Sequence, residues 1–129
     1  MRDKVIFGPA GKPIEFNGKA HESPEFLGPL GLYAFEYQST YGVRIGESSA
    51  LKLRESAEEN GVLMSMHCPY YVNVCSKEEE KIESTIDRLV QSAKVGEFMG
   101  AYRLVFHPGF YSGRKPETCM DLAKETYTR

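Results

Sequence analysis

Four strand–helix units in succession predict an α/β chain, a parallel sheet with helices outside it, equivalent to half of a (β/α)8 barrel. Short apolar runs alternate with amphipathic stretches along the 129 residues, the order expected of parallel strands joined by right-handed crossovers. The spacing is close to the roughly 30 residues of one βαβ step. Two of the runs, VLMSMH and YRLVFH, end in a histidine and break at once into proline-containing turns, HCPYYVN and HPGFYSG. Parallel α/β sheets build their sites in this way, on loops at the carboxyl edge. A complete barrel needs about 250 residues, about twice this length.

The elements follow in order. DKVIFG, residues 3–8, reads as a short buried strand, and GPAGKPIEFNGKAH, rich in Gly and Pro, as a non-helical loop. Ser23-Pro24-Glu25 has the form of an N-cap with proline at the first helical position, but Gly28-Pro29 follows closely and keeps that helix short. LYAFEY, residues 32–37, is the second strand. A helix opens at Ser48 or Ser49 and stops at Asn60-Gly61. VLMSMH, residues 62–67, is the third strand. Ser76, with Glu79 three residues on, forms a capping box for the longest helix, 77–95, whose buried stripe is Ile82, Ile86, Leu89 and Ala93. AYRLVFH, residues 101–107, is the fourth strand, and Pro116 starts a last helix carrying Cys119, Leu122 and Ala123.

Composition narrows the function classes. With 41% apolar and 12% aromatic residues, residues 1–129 read as a single globular domain with one core. Sixteen basic and 18 acidic side chains leave a net charge of −2, so there is no overall basic footprint and any contact with phosphate must be local. Three cysteines without a CxxC pair, and no signal-peptide pattern, point to a reduced, cytoplasmic setting. No apolar run approaches the length of about 20 residues that crosses a bilayer, so a membrane role has no support.

Side chains alternate along a strand. Leu63, Ser65 and His67 therefore share one face, as do Arg103, Val105 and His107, with Val62, Met64, Met66 and Tyr102, Leu104, Phe106 opposite. If the large apolar set meets the helices, both histidines point to the inner side. Strands lie about 4.8 Å apart, so imidazoles at matching heights could share one zinc or another divalent ion at about 2.0–2.1 Å. The plain alternative is a strand-end histidine bonded to a nearby carbonyl. Glu36 shares the inner face of its strand and is a candidate metal-bound or catalytic carboxylate, or else a partner for Arg103 or Arg44. His21 reads as solvated and Cys68 as buried packing. Lys12, in GPAGKP, is a weak phosphate signal without the P-loop ending. Tyr70, Tyr71, Asn73, Phe110 and Tyr111 crowd the loops after the histidines. Such rings can stack on bases or simply cover the end of a core.

At HCPYYVNVCS, VFHPGFYSG and the intervening SKEEEKIESTIDRLVQSAKVGEFMGA, the chain resembles the endonuclease IV family of abasic-site endonucleases, within the xylose-isomerase-like TIM barrels. The most specific parts are His67-x-x-Tyr70-x-x-Asn73 with Ser76, and Phe106-His107-Pro108-Gly109. The resemblance implies a zinc-dependent DNA-repair hydrolase that cuts the phosphodiester 5′ to an abasic site in duplex DNA. It implies that His67 and His107 bind one zinc of a cluster, that Tyr70 and Asn73 belong to a loop near the DNA, and that Arg44 lies in the loop that probes the minor groove. In that family the remaining ligands come from later strands, so the chain is expected to be a truncated N-terminal half, inactive alone. Its open sheet edges then call for a missing C-terminal half or a second copy. A sugar isomerase or epimerase barrel and a non-catalytic half-barrel that assembles or binds partners are the alternatives.

Overall fold

The structure, a computed structural model, describes residues 4–129. Strands β1 (Ala34–Gln38), β2 (Leu63–His67) and β3 (Leu104–Val105) form a parallel sheet in the order β1-β2-β3. Helices α1 (Ser23–Leu27), α2 (Glu47–Glu59), α3 (Glu79–Phe98) and α4 (Pro116–Thr128) alternate with them. The result is an α/β partial TIM barrel with its helices on one face of the sheet.

Alternation along the strands decides where the core sits. Phe35, Met64 and Met66 are buried and pack against Ala50, Leu53 and Ala57, the i, i+3, i+7 stripe of α2. Each such large side chain contributes about 1.5–3 kcal/mol when fully buried. On the opposite face Leu63 and Val105 are exposed, because that face looks toward the barrel axis and carries no layer of its own.

Several expectations are corrected. Of the predicted strand 3–8, Asp3 lies outside the described residues. The rest is an extended segment, with Val5 and Phe7 exposed rather than buried. It runs beside β1 through Ala34 N–H to the Phe7 carbonyl (3.2 Å), Glu36 N–H to Pro9 (3.1 Å) and Gly11 N–H to Glu36 (2.9 Å), with a single bridge at Ala10. Pro9 has no N–H to give, which limits the ladder. The fourth predicted strand, 101–107, shrinks to Leu104–Val105. Helix α1 begins at Ser23 itself, preceded by a 3-10 turn Ala20–Glu22, and His21 is partly covered there rather than fully solvated.

The longest helix begins at Glu79, capped by Glu78, and not at 77. The Ser76 hydroxyl accepts the Glu78 N–H at 3.1 Å, so it closes a turn before the helix instead of forming a capping box. Its buried stripe is Ile82, Thr85, Ser92 and Gly96, while Ala93 is exposed. The small residues bring α3 close to the sheet: a methyl on Gly96 would stand 2.8 Å from Leu104 Cδ2. Hydrogen bonds remove the cost of burying the hydroxyls. Thr85 Oγ1 accepts the Asn73 N–H at 3.0 Å, and Ser92 Oγ donates to the Arg88 carbonyl at 2.7 Å.

Candidate functional site

The site is built on the two loops that leave β2 and β3. Register pairs Glu36 with Ser65, Gln38 with His67 and His67 with Val105. His107 therefore lies two residues beyond the level of His67, and the expected matching heights are not met. The rings still converge, with centroids 5.2 Å apart and planes at 48°, because the chain leaves β3 after Val105 and turns toward its neighbour. Tyr70 completes the cluster: its ring stacks on His107 at 4.9 Å and 10° and lies 5.9 Å from His67.

Nδ1 of His67 lies 2.9 Å from the Cys68 carbonyl. A carbonyl only accepts, so Nδ1 carries the hydrogen, and it is the neutral ring's Nε2 that has a lone pair to offer. The carbonyl-bonded reading of this histidine is thus observed, and it is also the second contact by which metal-binding imidazoles are oriented. Two nitrogens bound tetrahedrally at about 2.05 Å would hold ring centroids about 5 Å apart, which the observed spacing matches. The centroid spacing is that of two ligands of one ion. A third does not join them: no group of three His, Cys, Asp or Glu side chains suited to a metal occurs among the described residues. Glu36 shares the inner face by parity but stands level with Ser65, and it makes no ion pair with Arg44 or Arg103 among the described residues.

Asn73 fastens the two loops together. Its Nδ2 donates to Ser112 Oγ at 3.0 Å and its Oδ1 accepts the Cys75 N–H at 3.1 Å. The Val74 N–H bonds the Pro108 carbonyl at 3.0 Å. Gly109, at φ 117°, lies so close that a Cβ there would stand 2.7 Å from Asn73 Cα; only glycine suits that conformation and that approach. Behind this junction Cys75 and Cys119 are both buried. Burial, reinforced by the adjoining Cys119 thiol, pushes the Cys75 thiol up to about 11. Cys68 is also buried, and burial raises its pKa, with the Ser92 hydroxyl opposing.

Arg44 is exposed and lines a separate cleft of about 350 Å³ with Lys12, Ser39 and Tyr41. The two regions touch where the Tyr70 N–H meets the Thr40 carbonyl at 3.3 Å. A larger cleft, about 550 Å³, opens on the other side of Tyr70, between the loops and the first turns of α3. Lys77, Lys81 and Arg88 line it. The run SKEEEKIESTIDR hides these three cations among five carboxylates; helical spacing is the signal that sorts them.

The xylose isomerase-like TIM barrel family matches residues 27–129. The chain belongs to that family. It is 38% identical over 125 residues to an uncharacterized protein, MJ0133, of Methanocaldococcus jannaschii, covering 97% of this chain and 44% of the relative. Endonuclease IV from Thermus thermophilus superposes with a TM-score of 0.70 at 20% identity, over 96% of this chain and 46% of that one. A structure designated SacUVDE superposes at 0.67 and 20% identity, over 84% and 42%. The chain thus spans less than half the length of each of these proteins. Among the described residues no helix is long and apolar enough to cross a membrane.

Proposed function

We propose that the chain carries the N-terminal half of a barrel hydrolase of the endonuclease IV type, which cuts the phosphodiester 5′ to an abasic site in duplex DNA. The observation that carries this reading is the ring cluster at the carboxyl edge of the sheet, two convergent imidazoles with the exposed Tyr70 stacked against one of them. His67, through Nε2, and His107 would hold a zinc or similar divalent ion. Such an ion, when bound, supplies a water acidified to a pKa of about 7 and neutralises charge on phosphoryl oxygens.

The remaining roles belong to the chain's own groups. Tyr70 offers an exposed aromatic face to a base or to the gap left by a missing one. Arg44 and Lys12, in the smaller cleft, offer charge to the backbone. Asn73 keeps the Tyr70 loop fixed to the His107 loop through Ser112 and braces its own loop through the Cys75 N–H. Two histidines fall short of the three protein ligands that catalytic zinc usually has, so these 129 residues would not cleave DNA unaided.

The test compares ligands. Binding of an abasic-site duplex that weakens steeply with salt supports the reading; binding of a ketose or aldose with indifference to DNA overturns it. Chelator-sensitive incision by the 129-residue chain alone would contradict the proposed inactivity.

A further inference from the structure

The net charge of −2 hides a local separation of charge on α3. Lys81, Ser84, Thr85 and Arg88 fall at i, i+3, i+4 and i+7 and form one wall of the 550 Å³ cleft. The carboxylates Glu80, Glu83 and Asp87 occupy a different, exposed face of the same helix. Lys77 reaches the cleft from the residues just before α3. The charged lining is three cations and one carboxylate, Glu78, and Lys81 already neutralises Glu78 at 2.5 Å. Lys77 and Arg88 remain as uncompensated positive charge. Lys77 makes no ion pair among the described residues.

The opposite wall is aromatic. Tyr70, Tyr71 and Phe110 line it, all more than half exposed. Arg88 ties the two walls together: its Nη1 donates to the Tyr71 carbonyl at 2.6 Å and its guanidinium carbon lies 5.9 Å over the Tyr71 ring. Arg88 is thereby held at the cleft with donors to spare. A basic wall facing exposed rings is the arrangement that tracks a nucleic-acid strand, cations on phosphates and rings on bases. The cleft shares Tyr70 with the histidine cluster, so a strand whose phosphate reached the histidines would pass directly into it.

We propose that this cleft is a phosphodiester subsite, in which Lys77 and Arg88 bind the backbone of nucleotides flanking the phosphate presented to His67 and His107. The assignment rests on the nucleic-acid reading above and adds to it a second contact point, outside the metal ligands and the Arg44 cleft.

Binding of a fluorescent abasic-site duplex to the 129-residue chain, followed by anisotropy across a salt series, tests it. Lys77→Gln and Arg88→Gln should each weaken binding about three- to tenfold and reduce the slope of log affinity against log salt by about 1. Arg88→Lys should keep most of the slope, and circular dichroism should show every variant folded. If the wild type binds the duplex and both glutamine variants match it in affinity and slope, the subsite is wrong while the wider reading stands. If the wild type binds no duplex at any salt, that reading fails and the subsite falls with it. Amide shifts in the cleft on adding inorganic phosphate, with duplex binding unaffected by the variants, would mark a free-phosphate site and overturn the nucleic-acid assignment.

Discussion

The phenol ring of Tyr70 lies nearly parallel to the imidazole of His107, centroids 4.9 Å apart and planes within 10°. The contact links a loop after β2 to a loop after β3, so the two histidine-bearing turns form one surface. Tyr70 is 55% exposed, which leaves its outer face free for a ligand.

Tyr70→Ala should therefore change folding stability by less than about 1 kcal/mol while lowering abasic-duplex affinity about tenfold, since a base–aromatic stack is worth about 1–3 kcal/mol. Tyr70→Phe should restore most of the affinity. Equal binding by the alanine variant and the wild type, measured by anisotropy, would remove Tyr70 from the DNA surface.

Gly109→Ala should be among the most damaging single-methyl changes in the chain. It places a side chain at φ 117° and drives a Cβ into Asn73, and strain with overpacking together cost about 2–4 kcal/mol. Urea unfolding should show the midpoint falling with the m-value unchanged. A midpoint within error of wild type would mean that the junction is looser than described.

Asn73→Ala should cost about 1–3 kcal/mol, because the Cys75 N–H and the Ser112 hydroxyl lose their partner in a partly buried junction. Asn73→Asp should recover part of this, since a carboxylate still accepts the Cys75 N–H. Equal losses in both variants, read from urea midpoints, would show that accepting the Cys75 N–H contributes nothing measurable.

The Cys75 thiol, raised from its ordinary value of 9.0 to about 11, makes stability depend on alkaline pH. A raised acid pKa means that the native state favours the protonated form. The contribution is full below the unfolded-state value near 9 and is lost as pH rises toward and through about 11. The stability difference between wild type and Cys75→Ala should shrink between about pH 8 and about pH 10.5. A difference constant over that range would show that the thiol is not protected.

Much of this was legible in the residues because burial follows period. Met64 and Met66 alternate with Ser65 and His67, and that placed the His67 imidazole on the face away from the helices. Asn60-Gly61 and Pro116 marked helix ends through backbone chemistry. Tertiary approach was not legible. Ser76 has the pattern of an N-cap, yet its hydroxyl serves a turn one step earlier. The buried stripe of α3 uses Thr85, Ser92 and Gly96, because Gly96 meets Leu104 at close quarters and the two hydroxyls are satisfied by Asn73 and Arg88. Phe7 reads as core from its apolar run, but it is exposed, because the segment meets β1 through backbone hydrogen bonds alone. At the site, parity gave the face of His67 but neither the direction nor the height of His107, which depend on where β3 ends.

The central claim is that His67 and His107 act as one metal-binding unit, and a double-mutant cycle on zinc affinity tests it most directly. Competition with a chromophoric chelator would be followed for wild type, His67→Ala, His107→Ala and the double variant. A shared ion predicts that each single variant loses about as much affinity as the double, a strongly non-additive cycle. Losses that add, or a single variant that binds zinc as the wild type does, would contradict it.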